Sequence, residues 1–173
     1  SGEPVRHFRT TRLTKGGQRI FASVSLSSIK NDLGNIIGFS KIVRDLTQEI
    51  QQEQLLWQEV HFDSLTGLMS RVGIQNAVDD LIRVSQIRQR SLALVRCNID
   101  GFAQINAKHS PAVGNQLLIK VAQTIRESVR ESDDVARIHS DNFVVVLQGF
   151  TQLQSIPKAV EKLKAAIGAI TEV

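Results

Sequence analysis

The sequence predicts a mixed α and β chain, α+β passing into α/β, and three observations carry this. Apolar and polar residues alternate with period two between residues 5 and 43, a polar glutamine-rich helix follows, and from Asp63 onward helical periodicity alternates with short apolar runs. The length of 173 residues holds one ordinary domain or two small ones.

The elements follow in order. Residues 5–13 and 20–26 alternate as strands around the turn Lys15-Gly16-Gly17-Gln18, and a second turn, Asn31-Asp32-Leu33-Gly34-Asn35, leads into a strand over 36–43. Three antiparallel strands alone lack the covering layer that an independent domain needs, so this segment reads as part of something larger. A helix is predicted from Asp45 to about Val60. Leu46, Ile50, Trp57 and Val60 fit a seam repeating every 3.5 residues, with Glu53 as the polar interruption. A short two-helix coiled coil and a solvent-bridging linker helix both fit that pattern. Ile74, Ala77, Val78, Leu81 and Ile82 mark an amphipathic helix, and the apolar run over 91–99 predicts a strand buried on both faces. Leu117, Leu118, Val121, Ala122, Ile125 and Val129 mark a second helix, residues 135–147 a hairpin, and Ile156, Ala159, Val160, Leu163 and Ile167 a last helix. A sheet that ends on a helix after three strands reads as incomplete.

Composition narrows the function classes. With 42% hydrophobic and 22% charged residues the chain is that of a soluble globular protein. The net charge of +4 comes from scattered basic residues such as Arg83, Arg88, Arg126 and Arg130, which form no stripe for nucleic acid. Cys97 is the single cysteine and reads as a small buried hydrophobe, which fits a reducing cytoplasm. No apolar run approaches the roughly 20 residues of a membrane span. His61 and His109 have no spacing that reads as a zinc site. Ser1-Gly2 reads as a cloning remnant.

Two stretches resemble known families. The turns at 15–18 and 31–35 and the closing Arg44-Asp45-Leu46-Thr47 are similar to the C-terminal strands of a PAS sensor domain, whose closing motif hands over to a signalling helix. Asp63-Ser64-Leu65-Thr66-Gly67-Leu68-Met69-Ser70-Arg71, Asn98-Ile99-Asp100-Gly101-Phe102 through Asn106, and Gly114-Asn115-Gln116-Leu117-Leu118 resemble, in order, the motifs of a GGDEF (diguanylate cyclase) domain lacking its last third. The implied organisation is a PAS part over 1–47, a linker helix over 48–61 and an incomplete GGDEF domain over 62–173.

That family condenses two GTP molecules into cyclic di-GMP, and the resemblance implies a degenerate site. Asn98 stands where the family has an aspartate for Mg²⁺, assisted by the backbone carbonyl at Ile99. His139-Ser140-Asp141-Asn142-Phe143 stands at its Gly-Gly-Asp/Glu-Glu-Phe turn. Hard Mg²⁺ needs anionic oxygen ligands, and only Asp141 remains of the site's acids. It is the one candidate metal ligand, with Mg²⁺ implied only alongside residual GTP binding. Side chains at His139 and Ser140 point to a turn that has reverted to an ordinary hairpin. Asn106 and Asn115 match the guanine-reading pair, with Asn115 in place of an aspartate that would accept two bonds. Ala103 replaces a lysine and Ser110-Pro111 a Gly-His pair. Arg130-Glu131-Ser132-Asp133 resembles the family's Arg-x-x-Asp inhibitory site for cyclic di-GMP. The expectation is a non-catalytic, cytoplasmic regulatory region that binds cyclic di-GMP or GTP, dimerises through the linker helix and modulates a downstream phosphodiesterase (EAL) domain. The alternatives are a weak diguanylate cyclase using Asp141 and a dimerisation scaffold that binds no nucleotide.

Overall fold

The computed structural model describes residues 5–170, so Ser1 and Gly2 lie outside the described residues. The chain divides into two compact units, Ser1–Trp57 and Gln58–Val173.

The first unit is an antiparallel sheet of β1 (Val5–Leu13), β2 (Arg19–Lys30) and β3 (Ile36–Asp45), in that order. The turn before β2 closes with Thr14 Oγ1 accepting from Gln18 N, and the one before β3 with Asn31 Oδ1 accepting from Leu33 N and Asn35 N. These are the local side-chain bonds that make Thr and Asn turn formers. Among the described residues of this unit only Ala22, Val24 and Leu46 are buried, while Phe39 and Ile42 are two-thirds exposed. Helix α1 (Thr47–His61) starts where Asp45 Oδ1 accepts from Thr47 N, and Thr47 Oγ1 in turn accepts from Phe21 N of β2. A helix is present where one is predicted, and it buries none of its residues: Leu55, Leu56, Trp57 and Val60 are all at least half exposed.

The second unit carries α2 (Arg71–Arg88), β4 (Ser91–Asn98), α3 (Phe102–Lys108), α4 (Pro111–Ser128), β5 (Asp134–His139), β6 (Asn142–Phe150) and α5 (Ser155–Gly168). Its strands pair β4-β6-β5, antiparallel throughout, so the unit is α+β and not a parallel α/β sheet. One face packs Phe143, Val145 and Leu147 of β6 against Leu118 and Ile125 of α4 and Leu163 of α5. On the other, Ile74 of α2 meets Ala136 and Val146. Burying side chains of this size contributes about 1.5–3 kcal/mol each, and Phe143 and Val145 are fully buried.

The expectation that the 91–99 strand is buried on both faces fails. Leu94 is 63% exposed. β4 is an edge strand with one neighbour among the described residues, and α2 packs chiefly over β5, leaving the outer face of β4 open. Only Ala93, Val95 and Cys97 turn toward the main core. Helix α3 was not distinguished by apolar periodicity; it is too short to show any.

Local chemistry sets the helix starts. Ser70 caps α2 by accepting from Gly73 N, and at Gly73 a Cβ would collide with the His61 carbonyl. Ser110 caps α4 by accepting from Val113 N, with Pro111 at its first turn. The pair that replaces Gly-His therefore begins a helix.

Candidate functional site

The hairpin β5–β6 is fastened by Arg137. Its Nε donates to Ser140 O at 2.7 Å, and Nη1 donates to Asp63 Oδ1 and Oδ2 at 3.1 and 3.2 Å. Asp63 Oδ1 also accepts from Thr66 N and Thr66 Oγ1, folding the Asp-Ser-Leu-Thr-Gly loop on itself. The loop is stitched to β5 by Met69 N donating to Val135 O and Arg137 N donating to Met69 O. Burial pushes the Asp63 carboxyl up, but the Thr66 bonds and the Arg137 guanidinium outweigh it and hold it below the usual carboxylate range.

Within that frame the turn is Ser140-Asp141, with His139 paired to Asn142 and the register shifted between Arg137 and His139. Ser140 has φ +49°. A positive φ at the first residue is what two-residue hairpin turns ordinarily use, here adopted by a serine at the second glycine position, and Arg137 grips the Ser140 carbonyl beside it.

On the sheet, Asn98 and Asn142 are direct cross-strand partners, so their side chains share one face, and Arg96 lies on that face by the period-two alternation. Arg96 Nε and Nη2 both donate to Asn142 Oδ1, at 3.1 and 2.6 Å. Asn142 is 8% exposed, and its Nδ2 faces Asp141 Oδ1 at 3.4 Å. These residues do not fit Mg²⁺. Asn98 and Asn142 offer neutral oxygens, the Asn142 oxygen is taken by a guanidinium, and the Asn142 amide turns donors toward the remaining carboxylate. Among the described residues no group of three or more His, Cys, Asp or Glu stands close enough to hold a metal ion.

Asn106 and Asn115 are brought together only in part. Asn106, on α3, presses against Gly114 of α4, where a Cβ would overlap its Oδ1, and that Oδ1 is buried without a partner. Asn115 is exposed on the next residue of α4. Asp133 sits apart, 4% exposed. Its Oδ2 accepts from Arg130 N and its Oδ1 from Gln148 N of β6, and the Arg126 guanidinium donates to the carbonyls of Asp133 and Arg130. The Arg130-Glu-Ser-Asp133 turn is a closed, self-bonded loop whose acid faces inward, while Arg130 is exposed. Next to it, burial pushes the Asp134 carboxyl up.

Sequence reasoning missed Arg96. The available signal was an arginine interrupting the apolar run Leu92-Ala93-Leu94-Val95, two residues before Asn98 and hence on its face.

The family model "Diguanylate cyclase, GGDEF domain" matches residues 60–172, more than half of the chain. Among curated relatives, diguanylate cyclase DgcS of Shewanella oneidensis is 31% identical over 108 residues, covering 62% of this chain and 36% of that protein. The cyclic di-GMP phosphodiesterase PdeB of the same organism is 29% identical over 129 residues, covering 75% of this chain and 15% of its own length. The chain thus spans well under half of the relatives it matches. The structure of the GGDEF domain of TpbB from Pseudomonas aeruginosa superposes with a TM-score of 0.60 at 30% identity, covering 63% of each chain. No helix among the described residues is long and apolar enough to cross a membrane. The matched segment holds the fastened hairpin, the Asp63 loop and the α3–α4 pair, and with it this chain belongs to the GGDEF family of cyclic di-GMP signalling domains.

Proposed function

We propose that this chain is a non-catalytic regulatory region, in which a GGDEF domain is kept for its shape and for ligand sensing. The observation that carries the reading is Arg96 bound through two N–H groups to Asn142 Oδ1, directly across the sheet from Asn98. Phosphoryl transfer in such a site relies on divalent ions to neutralise developing charge, and a guanidinium beside two amides opposes their binding. The hairpin frame around Arg137 and the core around Phe143 are intact, so the losses fall on the ligand side.

In this reading the strands over 5–47 are the end of a PAS sensor, α1 is the signalling helix, and its exposed Leu55, Leu56, Trp57 and Val60 pair with a second copy. The nucleotide sensed is cyclic di-GMP or GTP, and the output is modulation of a phosphodiesterase (EAL) domain in the same protein. That PdeB is named a cyclic di-GMP phosphodiesterase is in keeping with this arrangement.

Incubating the chain with GTP and Mg²⁺ or Mn²⁺ and resolving products by chromatography tests the reading. No cyclic di-GMP is expected. Turnover that disappears in Asp141→Ala would instead establish a weak cyclase with Asp141 as its essential acid. Sedimentation of the wild type and of a Leu56→Glu/Trp57→Glu variant tests dimerisation through the helix, and a monomeric wild type would overturn that part.

A further inference from the structure

The β1–β2 hairpin of the first unit holds the chain's largest acid-free set of cations. Between Glu3 and Asp32 the sequence has Arg6, Arg9, Arg12, Lys15, Arg19 and Lys30 and no carboxylate. Four of them gather at the turn. Lys15 lies within it, Arg19 is paired with Leu13 across the strands, Arg12 with Ile20 and Arg9 with Ser23. At about 3.3 Å per residue, these four lie within roughly 15 Å of the tip. All four are exposed, and none makes an ion pair with a described residue. Beside them Leu13 is 68% exposed and Phe21 44%.

The arrangement selects among anionic partners. Paired residues share a face of the sheet and successive residues alternate. Arg9, Leu13, Arg19 and Phe21 therefore lie on one face, and Arg12 and Ile20 on the other. A nucleic acid strand follows a groove or row of cations along its backbone, and no single face here offers one. The cations instead ring the end of a ribbon, with apolar side chains between them. β3 pairs with β2 only up to Ala22, so the ribbon from Leu13 to Arg19 projects past the third strand. Gly16 and Gly17 add no side-chain bulk at its end. Such a tip fits a planar anionic surface met end-on, where cations reach headgroup phosphates and an apolar side chain reaches the acyl boundary.

We infer that the tip of the β1–β2 hairpin docks on an anionic phospholipid bilayer. Arg9, Arg12, Lys15 and Arg19 hold the headgroup phosphates, and Leu13 enters the interface between them. Attachment of this kind is peripheral and salt-reversible, and it needs no membrane-spanning helix. No residue of the GGDEF segment takes part, so docking is independent of what that segment binds or catalyses.

Co-sedimentation of the whole chain with vesicles is the test, using phosphatidylcholine alone or with about one-third phosphatidylserine. Binding to the anionic vesicles only is expected, and raised salt should release it. The hairpin variant Arg12→Gln/Lys15→Gln/Arg19→Gln should partition about a hundredfold more weakly, at roughly fivefold per cation. Leu13→Ser should weaken binding severalfold with the charge unchanged. The control variant Arg88→Gln/Lys158→Gln/Lys164→Gln removes the same charge from exposed positions elsewhere and should bind as the wild type does. Circular dichroism verifies that each variant is folded. No binding to anionic vesicles, binding indifferent to the hairpin variant, or equal weakening by the control variant would overturn the inference. Tighter binding to a single-stranded oligonucleotide than to vesicles, lost in the hairpin variant, would overturn it too and make the occupant a nucleic acid.

Discussion

Replacing Arg137 with alanine should loosen the turn that faces the ligand side, and the structure gives the size of the effect. The guanidinium makes one bond to the Ser140 carbonyl and two to the Asp63 carboxylate, with side-chain exposures of 12% for Arg137 and 23% for Asp63. Hydrogen bonds to charged groups contribute about 1.5–3 kcal/mol and neutral ones about 0.5–1.5. Severing a fully buried pair costs about 3–5 kcal/mol. Asp63 is only partly buried and keeps both Thr66 bonds, so the carboxylate is not orphaned and the lower end applies, about 2 kcal/mol in total. For a domain of this size that shifts the midpoint down by roughly 6–12 °C. Because the chain has two units, the readout should be local: hydrogen exchange of the Arg137 and Phe143 amides, alongside urea denaturation followed by far-ultraviolet dichroism. A double-mutant cycle with Asp63→Asn isolates the pair, with a coupling of about 1 kcal/mol expected. A loss below about 0.5 kcal/mol together with negligible coupling would refute the idea that Arg137 holds the turn.

Other consequences can be checked on the same protein. Asp133→Ala leaves two backbone N–H groups, of Arg130 and Gln148, without their charged acceptor, and should cost about 3 kcal/mol by denaturant titration; a neutral result would return Asp133 to a purely ligand-facing role. Gly114→Ala drives a Cβ into the Asn106 side chain and should cost about 1–3 kcal/mol, most of it recovered by adding Asn106→Ala, and failure of that rescue would place the crowding elsewhere. Asp63 has a depressed carboxyl, so its contribution is fully present above the unfolded value near 3.9 and is lost as pH falls through its lower folded value; acid titration of Asp63→Asn should show a flatter stability profile below about pH 4. Restoring Asn98→Asp and Asn142→Glu should not by itself create Mn²⁺ binding, whereas adding Arg96→Leu should, and calorimetry with the metal alone decides it.

Legibility in the sequence followed the physics of each signal. The strands of the first unit and the helices α2, α4 and α5 announce themselves through periodicity and turns such as that at Asn31, because local propensity and tertiary burial agree there. The strand over 91–99 was misjudged since an apolar run cannot say whether one face or two is covered; Leu94 is apolar and open to solvent. The site residues could be placed on elements by motif spacing, but the Asn98–Asn142 pairing comes from the strand register. Their company could not. Whether Asn142 meets a metal or Arg96, and whether Asp133 looks outward or binds backbone N–H groups, depends on side-chain directions across strands, which sequence separations of 46 and 15 residues do not encode.

The distribution of change has a physical logic. Asn98, Asn115 and His139 are exposed, and Ser140 meets the frame only through its carbonyl, so altering these side chains disturbs no packing and costs little in stability. Gly114, Asp63, Arg137 and Phe143 each have a neighbour that another residue would strike or strand, and these match the pattern that the resemblance implies. Asn142 is the instructive exception. It is buried, and a change from glutamate to a neutral amide at such a position would by itself leave an unfilled acceptor; Arg96 fills it with two donors. The two residues therefore have to be understood together, as a neutral amide and a cation that keep the hairpin packed where an acid and a metal would otherwise meet.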